Sequence, residues 1–459
     1  MTCSPDAEIG PVSGESHSVI KRLVIAIASR DLFSGAVIAI IDQAMLSALN
    51  LLIGLAIIRL GEKLDYGIYV QLFTLLLLAQ SLQDAAINAP MVALAPQHRA
   101  RRMRAICAQL FRLQLGLSIL VAFLAFTGIL ATSWRVGAEA LPPSTAWPFA
   151  LAVLGHTARG YARDYAFLLL LPKRVLALDT LYVGLVLLGL AAGVALERLD
   201  VEWVFGCIAT AGLAAGGFGL QQTGLRPFGQ HGRGRDVFRK AWALGRWAIP
   251  SVVLWWLSNY AVIYVVAVLM GVLATADVGA SRLLLMPIGL CSVAWGNIFL
   301  PRASRWIAAH DFAQVEKVAA VASVLLALLI GIYMLVLLAV YDWLEAWVLG
   351  EEYAGLEGLT IAWAVYFGAL SFRSAATHAL SAGAQYRSLF GYTVLGLCIT
   401  LPLVIAMTSG VGVTGAVWAQ AAGEVTMGLI LWLHGWSRFK RESAASTSGG
   451  ARAIQPEVP

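Results

Sequence analysis

The feature that most constrains this chain is a succession of about twelve apolar blocks, each of roughly 20 residues and joined to the next by a short loop. As an α-helix, a block of that length crosses the hydrocarbon core of a bilayer. The loops alternate in charge: 23 of the 32 lysines and arginines lie in every second loop or in the termini, and only 4 lie in the other loops. Because cationic loops stay in the cytoplasm, this alternation predicts an even number of spans with both termini cytoplasmic.

Composition disfavours a soluble enzyme and a nucleic-acid-binding protein. Hydrophobic residues make up 59% of the chain and charged residues only 13%, against roughly 25% charged residues in soluble domains. The sequence pI of 9.1 follows from the charge bias of the loops, so no nucleic-acid partner is expected. The five cysteines lack C-x-x-C spacing and the seven histidines form no H-E-x-x-H motif. We therefore expect no metal site, no cofactor and no catalytic residue.

The pattern of blocks and loops divides the chain into five parts. They are a cytoplasmic N-terminal segment (1–34), a six-helix bundle (35–221), a basic cytoplasmic linker (222–246), a second six-helix bundle (247–436) and a cytoplasmic tail that we expect to be disordered (437–459). The linker carries Phe238 and Trp242 among Arg239 and Lys240, which is typical of a short amphipathic helix on the inner leaflet. A solvated linker with positive-inside charge explains the same residues equally well.

The two bundles are weakly repeated. Asn50 matches Asn259, Tyr66-Gly67 matches Val278-Gly279 and Pro90 matches Pro301, at offsets of 209, 212 and 211 residues. Six-plus-six repeats are common in secondary transporters, which bind their substrates between the halves. We predict an all-α polytopic membrane protein with about twelve transmembrane helices in two six-helix bundles related by pseudo-twofold symmetry.

Short outer loops favour transport over catalysis. Membrane glycosyltransferases, polymerases and ligases usually place catalytic groups in a large outer loop or domain. No outer loop here exceeds about 17 residues. The chain is therefore predicted not to be an enzyme.

Charged residues at lipid depth carry the functional signal, because they are costly there and usually face a cavity or a partner. His156, Arg159 and Arg163 share one face of the fourth span through i+3 and i+4 steps. Two guanidiniums and an imidazole suit an anionic group such as phosphate. The alternative is an internal ion pair that fixes helix packing, for example Arg163 with Asp84 or Glu424.

Further intramembrane residues join this predicted substrate cavity, each with an alternative. Arg373 and His378 lie in the tenth span, and His378 alone is more often a satisfied buried histidine. Arg112, in the third span, and Arg282, at the start of the predicted eighth span (279–300), are candidates that could instead snorkel to an interface. The candidate acids for coupling or pairing are Asp42, Asp84, Asp164 and Glu424.

Loose motifs occur in several spans. They are Asp42-Gln43-Ala44, Asn50-Leu51-Leu52-Ile53-Gly54, Arg59-Leu60-Gly61 and Asp65-Tyr66-Gly67 in and after the first span, Gln83-Asp84 and Ala89-Pro90-Met91 in the second, Asn297-Ile298-Phe299-Leu300-Pro301-Arg302-Ala303 in the eighth, and Gly412-Val413-Thr414-Gly415-Ala416 in the twelfth. By their order and spacing, residues 35–435 resemble the Wzx-type bacterial polysaccharide flippases. That family lies within the multidrug/oligosaccharidyl-lipid/polysaccharide exporters.

The resemblance implies a V-shaped pair of six-helix bundles that works by alternating access. It implies a flippase in the bacterial inner membrane that translocates undecaprenyl-pyrophosphate-linked oligosaccharide for O-antigen, exopolysaccharide or capsule synthesis. Expected partners are this lipid-linked oligosaccharide, membrane lipids and a polysaccharide polymerase or chain-length regulator. The intramembrane cations would neutralise the pyrophosphate or acidic sugars, although the family has no residue signature that transfers to Arg159 or Arg373.

Two other classes of function stay open. A proton- or cation-coupled antiporter of small amphipathic molecules would use Asp42 or Asp84 as its coupling acid. A membrane enzyme is disfavoured by the short outer loops.

Overall fold

The computed structural model describes residues 14–228 and 234–448; residues 1–13, 229–233 and 449–459 lie outside it. Over the described ranges the chain is helical and contains no strand. The first half consists of α1 (Gly14–Leu60), α2 (Lys63–Gln83), α3 (Ala89–Leu94), α4 (Ala100–Val136), α5 (Ala146–Leu168), α6 (Pro172–Ala195) and α7 (Val201–Thr223). The second half consists of α8 (Gly234–Met270), α9 (Val272–Leu283), α10 (Met286–Ala308), α11 (Phe312–Ala339), α12 (Tyr341–Leu344), α13 (Glu357–Ala382), α14 (Tyr386–Val411), α15 (Val413–Ile430) and α16 (Ser437–Ser448).

Short non-α turns interrupt or join these helices. Three are π turns, at Asp84–Asn88, Glu345–Leu349 and Leu431–Trp436, and three are 3-10 turns, at Ala95–Gln97, Pro143–Thr145 and Glu351–Tyr353. The first π turn joins α2 to α3, and the third joins α15 to α16, so each pair forms one continuous helical stretch. A π turn inside a helix leaves backbone groups out of register and often marks a functional position.

The helices form twelve membrane crossings, as the apolar blocks predict. Nine helical stretches of the described chain are long and apolar enough by themselves to span a bilayer. The other three crossings are α5, α13 and the pair α9–α10. Arginines lower the apolarity of α5 and α13, and the break after Leu283 splits the eighth crossing into two shorter helices. The weakest spans by hydropathy thus include those that carry the candidate site residues.

The two halves repeat the same packing, which establishes their pseudo-twofold relation. In the first half, α5 packs on α7, α4 on α5, α6 on α7, α1 on α6, and α2 on α5. In the second half, the corresponding pairs α13–α15, α11–α13, α14–α15, α8–α14 and α10–α13 are in contact. Each crossing therefore has the same neighbours as its counterpart six crossings later.

Small residues allow the closest of these helix contacts, between α5 and α7. A Cβ atom on Gly155 would lie 2.5 Å from the carbonyl oxygen of Ala209, and one on Gly212 would lie 2.6 Å from the backbone of Gly155. Without side chains at these positions the two backbones touch directly, a geometry that small residues permit in membrane helices. The helices α5 and α7 are thereby fixed to each other.

The halves meet along the second crossing, at both of its ends and, between them, where Trp256 of α8 donates from Nε1 to the carbonyl oxygen of Thr74 at 2.7 Å. We call the side of the membrane on which the basic loops lie the basic side, and the opposite side the far side. In the far-side contact, Lys63 forms an ion pair with Asp277 at 2.7 Å, and a Cβ on Gly67 would lie 2.4 Å from the carbonyl oxygen of Val272. In the basic-side contact, a Cβ on Gly245 of α8 would lie 3.1 Å from the carbonyl oxygen of Ala85.

Three segment boundaries differ from the sequence-based predictions. The amphipathic stretch of the linker is helical, but it is the beginning of α8, which continues without interruption to Met270. The tail predicted to be disordered is helical as α16 as far as Ser448, and residues 449–459 lie outside the described chain. The eighth crossing begins at Val272 rather than at residue 279, because α9 is separated from α8 only by Gly271.

Candidate functional site

A cavity of about 710 Å³ lies between the two halves, in the range typical of ligand sites. Its walls come from α1, α2, α8, α9, α10 and α13. The polar and aromatic side chains that line it include Ser47, Asn50, Tyr69, Thr74, Trp255, Asn259, Tyr260, Arg282, Ser292, Arg373, Ser374 and His378. Asn50 and Asn259, matched in the sequence repeat, occupy the first helix of each half and both line this cavity.

Arg282 brings a positive charge to the cavity wall. Its guanidinium lies 4.9 Å from the ring centre of Tyr260 and 5.1 Å from that of Trp363, so two aromatic faces hold it in place. No ion pair to Arg282 is found among the residues whose side chains the structure describes. Because α9 begins at Val272, Arg282 lies roughly 15 Å along the helix from the far side. Arg282 therefore lines the cavity, as one of its two sequence-based interpretations has it, and the alternative of snorkelling at the start of its span does not apply.

Arg373 and His378 line the same cavity from α13. Arg373 forms a short ion pair through its Nε with the Oε2 atom of Glu424 on α15, which is 6% exposed. The ring of His378 packs against Trp295, with ring centres 6.0 Å apart. Glu424 thus acts as a pairing acid, and Arg282 and Arg373 differ in that only Arg373 is neutralised by a carboxylate.

His156, Arg159 and Arg163 do not line this cavity, which corrects the prediction that they and Arg373 form one site. Instead, Arg163 donates from Nη2 to Asp42 at 2.7 Å and from Nε to Asp179 at 2.8 Å. The Nη1 atom of Arg159 lies 3.2 Å from the same carboxylate. We call Asp42, Arg159, Arg163 and Asp179 the N-half charge cluster.

The cluster closes inside the first half because of how α5 is rotated. Arg159, only 8% exposed, lies over the ring of Tyr182 on α6 at 4.0 Å. Asp42 comes from α1 and Asp179 from α6, and both are fully buried. The polar face of α5 therefore points towards α1 and α6. The partners proposed from the sequence, Asp84 and Glu424, do not pair with Arg163 in the described structure.

Sequence reasoning missed Asp179 as a site residue, although its charge within an apolar span was a usable signal. Arg112 is half-buried on α4 and does not line the 710 Å³ cavity. Asp179 on α6 and Arg112 on α4 therefore lie on other helices than Arg282 and Arg373, the cations that line the cavity.

Asp84 and Asp164 meet at the first π turn. Asn88 donates from Nδ2 to the Oδ1 atom of Asp84 at 2.7 Å and to the Oδ2 atom of Asp164 at 2.5 Å. Gln80 donates a further hydrogen bond to Asp84 at 2.9 Å. One amide thus holds two carboxylates together near the N-half charge cluster, where the prediction allowed either coupling or pairing.

The internal repeat extends to the arginines. Arg163 and Arg373 lie 210 residues apart, each on the fourth crossing of its half and each paired with a carboxylate of another helix. In the parts of the chain that the structure describes, no group of three or more His, Cys, Asp or Glu side chains is placed to hold a metal ion.

No protein-family model matches this sequence, and no curated protein matches it either. Solved structures do match over most of the chain. An inward-facing multidrug resistance MATE family transporter of the MOP superfamily aligns with a TM-score of 0.62 at 13% identity, covering 88% of this chain and 96% of that one. The lipid II flippase MurJ, in an inward closed conformation, aligns with a TM-score of 0.69 at 10% identity, covering 90% and 91%.

The Vibrio cholerae MATE transporter VcmN, in its bent form, aligns with a TM-score of 0.57 at 14% identity, covering 92% of this chain and 98% of that one. All three comparisons have low sequence identity and nearly full coverage. The described part of the chain therefore shares the two-lobed helical fold of these transporters.

Proposed function

We propose that this chain is a flippase that moves undecaprenyl-pyrophosphate-linked oligosaccharide across the bacterial inner membrane for surface polysaccharide synthesis. The substrate headgroup would enter the 710 Å³ cavity between the halves, and the polyprenyl chain would stay in the bilayer. Alternation between the far-side and basic-side contacts would expose the cavity to one side at a time. The basic side would be cytoplasmic, and both termini would lie there.

The observation that carries the proposal is the sign of the charge in the cavity. Its charged lining residues are Arg282 and Arg373, and no Asp or Glu is among the described residues that line it. Since Arg373 is paired with Glu424, Arg282 supplies the charge that lacks a carboxylate. A guanidinium held between aromatic rings at this depth suits a pyrophosphate or an acidic sugar, and it would repel a cationic drug.

The neutral part of the lining fits the rest of such a headgroup. Asn50 and Asn259 place amides on opposite halves of the cavity, where sugar hydroxyls would accept or donate hydrogen bonds. Asn259, only 6% exposed, is already oriented, because its Nδ2 donates to the carbonyl oxygen of Trp255 at 2.7 Å and its Oδ1 accepts from Tyr366 at 3.3 Å. The half-buried ring of Tyr260 adds an apolar surface to the wall formed by α8.

The second candidate is a proton- or cation-coupled antiporter, and one feature of the first half favours it. Asp84 and Asp164 lie near the N-half charge cluster, so four carboxylates face the two guanidiniums of Arg159 and Arg163. Asp42 and Asp179 are buried, Asp164 is half-buried and Asp84 is exposed, and such a surplus of carboxylates could carry a proton or a cation. Such coupling could also drive a flippase, so the charge of the transported molecule distinguishes the two candidates.

The test compares Arg282→Gln, Arg282→Lys and the control Arg198→Gln in a strain that lacks the chromosomal gene. Arg198 is an exposed arginine in a far-side loop, so its replacement changes the net charge equally. Loss of a charge-assisted contact, worth about 1.5–3 kcal/mol, predicts a roughly 10- to 100-fold fall in flipping for Arg282→Gln. Arg282→Lys should retain part of the activity, since it keeps the charge but not the planar fork.

The measurements are surface polysaccharide and the lipid-linked oligosaccharide trapped on the cytoplasmic leaflet. The proposal fails if deletion of the gene traps no such intermediate and leaves the surface polysaccharide unchanged. Drug sensitivity of the deletion strain, without a polysaccharide defect, would favour the antiporter. Protein abundance in the membrane is the control for folding.

A further inference from the structure

A second cavity, of about 400 Å³, lies on the basic side of the protein. One wall comes from the 3-10 turn at Ala95–Gln97 and from α4, and the other comes from the beginning of α8. It shares no lining residue with the cavity between the halves. Its polar lining residues are Gln97, His98, Arg102, Gln109, Asp236 and Lys240. The transport proposal does not use this cavity.

Two cations from different helices face this space. Arg102 belongs to the first turn of α4 and Lys240 to the second turn of α8, and both are exposed. The acid in the lining, Asp236, lies 3.9 Å from Arg239 on the same helix, with both side chains more than half exposed. Its charge is therefore partly balanced within α8, and the cavity keeps a net positive character that favours an anion.

Two buried polar atoms of the cavity lining lack partners, which points to a ligand. Gln109 is only 6% exposed, and its Oε1 has no hydrogen-bond partner among the described residues. The Nδ1 atom of His98 is likewise buried and unpartnered in the described chain. Buried polar atoms rarely stay unpaired in proteins. A rotated Gln109 amide would present its NH₂ to an anion, and the His98 ring could act as a donor.

Helix geometry adds to this positive character. The 37-residue helix α4 begins at Ala100, and Arg99 at its N-cap makes no side-chain capping hydrogen bond. The first backbone N–H groups of such a helix, together with its dipole, favour an anion. Here they lie beside Arg102, so charge and backbone donors act on the same space.

Exposed aromatic residues place this cavity at the surface of the membrane. Phe238 and Trp242, on the same turns of α8, are 49% and 52% exposed, and their rings stack with centres 6.4 Å apart. Aromatic side chains of this kind concentrate at membrane–water interfaces. The remaining cavity wall is apolar and includes Leu94, Ile106 and Val237. The cavity thus has a cationic part and an apolar part, at the depth of lipid headgroups.

From this arrangement we propose that the 400 Å³ cavity binds the phosphate of an anionic phospholipid headgroup. Arg102, Lys240 and the N-terminus of α4 would contact the phosphate, and the apolar wall would contact the glycerol and the first methylenes. Basic pockets between helices at the cytoplasmic surface recognise headgroups in this way. A free phosphate would use only the cationic part. The occupied site would also join the beginning of α8 to the first half.

The test is native mass spectrometry of the full-length protein in a neutral detergent, titrated with phosphatidylglycerol, with phosphatidylcholine or with inorganic phosphate. We expect one retained phosphatidylglycerol that neither of the other two additions reproduces. Each cation near an anionic surface contributes enough for about a 5-fold change in affinity. Lys240→Gln should therefore weaken binding about 5-fold, and Arg102→Gln with Lys240→Gln about 30-fold.

The matched control replaces Arg302 and Arg305, a pair of exposed cations on α10, by glutamine. It removes the same charge from the same side and should leave phosphatidylglycerol binding unchanged. The proposal is overturned if the Arg302 and Arg305 control weakens phosphatidylglycerol binding as much as the double variant does. It is also overturned if both Lys240→Gln and the double variant bind phosphatidylglycerol as the unmodified protein does. Equal retention of inorganic phosphate overturns the lipid assignment. All four substituted residues are exposed, so these variants are expected to fold.

Discussion

Replacing Asp179 by asparagine should destabilise the protein more than the same replacement of Asp42, the other carboxylate of the N-half charge cluster. Asp179 is fully buried and contacts two guanidiniums, at 2.8 Å from the Nε of Arg163 and 3.2 Å from Nη1 of Arg159. Asparagine keeps the shape but removes the charge. Because an arginine stays protonated, Arg159 would be left with its charge buried and without a carboxylate partner.

The expected magnitude follows from burial and from the number of contacts. Removing one partner of a buried ion pair costs about 3–5 kcal/mol, which sets the expected loss for Asp179→Asn. Asp42→Asn should cost less, about 1.5–3 kcal/mol, because Arg163 keeps Asp179. Asp277→Asn removes an ion pair with Lys63 in which each side chain is 23% exposed, and it should cost at most about 1 kcal/mol.

The assay is reversible unfolding in mixed micelles, with the free energy of unfolding compared across these three variants. A double variant, Asp179→Asn with Arg159→Gln, separates lost charge pairing from lost packing. It leaves Arg163 balanced by Asp42, so it should recover most of the stability that Asp179→Asn loses.

The reasoning is refuted if Asp179→Asn is no more destabilising than Asp277→Asn. It is also refuted if the double variant loses as much free energy of unfolding as the sum of the losses in Asp179→Asn and Arg159→Gln. Either result would mean that water or lipid headgroups solvate the cluster, in spite of the full burial of Asp179.

Two further predictions concern helix contacts. Gly155→Ala should lower the thermal unfolding temperature, because its Cβ would lie 2.5 Å from the carbonyl oxygen of Ala209, whereas Gly206→Ala, with open space around its Cβ, should leave it unchanged or raise it. In a cysteine-free background, Val70→Cys with Gly279→Cys should form a disulfide on oxidation and stop transport until it is reduced. A Cβ on Gly279 would lie 2.5 Å from the Cγ2 atom of Val70, so the two side chains are within reach of each other. Transport that continues in the oxidised double variant, with each single-cysteine variant as control, would contradict alternating access through the far-side contact.

The number of crossings and their grouping into halves could be predicted because both depend on local properties of the sequence. The length of an apolar block and the charge of a loop do not depend on which helices are neighbours. The repeat of Asn50 and Asn259 also survives into the structure, where both residues line the central cavity. The position of Arg282 was predicted less well, because Gly271 is the only break between α8 and α9.

The grouping of the intramembrane charges could not be predicted from the sequence. His156, Arg159 and Arg163 do share a stretch of α5, but helical spacing does not say which neighbour that stretch faces. The answer depends on the contact between Gly155 and Gly212, which fixes α5 against α7, and on the positions of α1 and α6. Asp179 became identifiable as the common partner only when α6 was placed.

The second crossing contacts the other half at both of its ends, and Trp256 and Tyr264 of α8 bond to the backbone of α2 between those ends. Gly67 and Ala85 are separated by roughly 27 Å of helix, so a rotation of about 15° around one contact would displace the other by about 7 Å. That rotation would also have to break the hydrogen bond from Trp256 to Thr74. At each end a glycine lies against the backbone of the other half, Gly67 on Val272 and Gly245 on Ala85. A methyl group at either glycine would therefore press on the backbone of the other half and hold the halves apart at that end of the crossing.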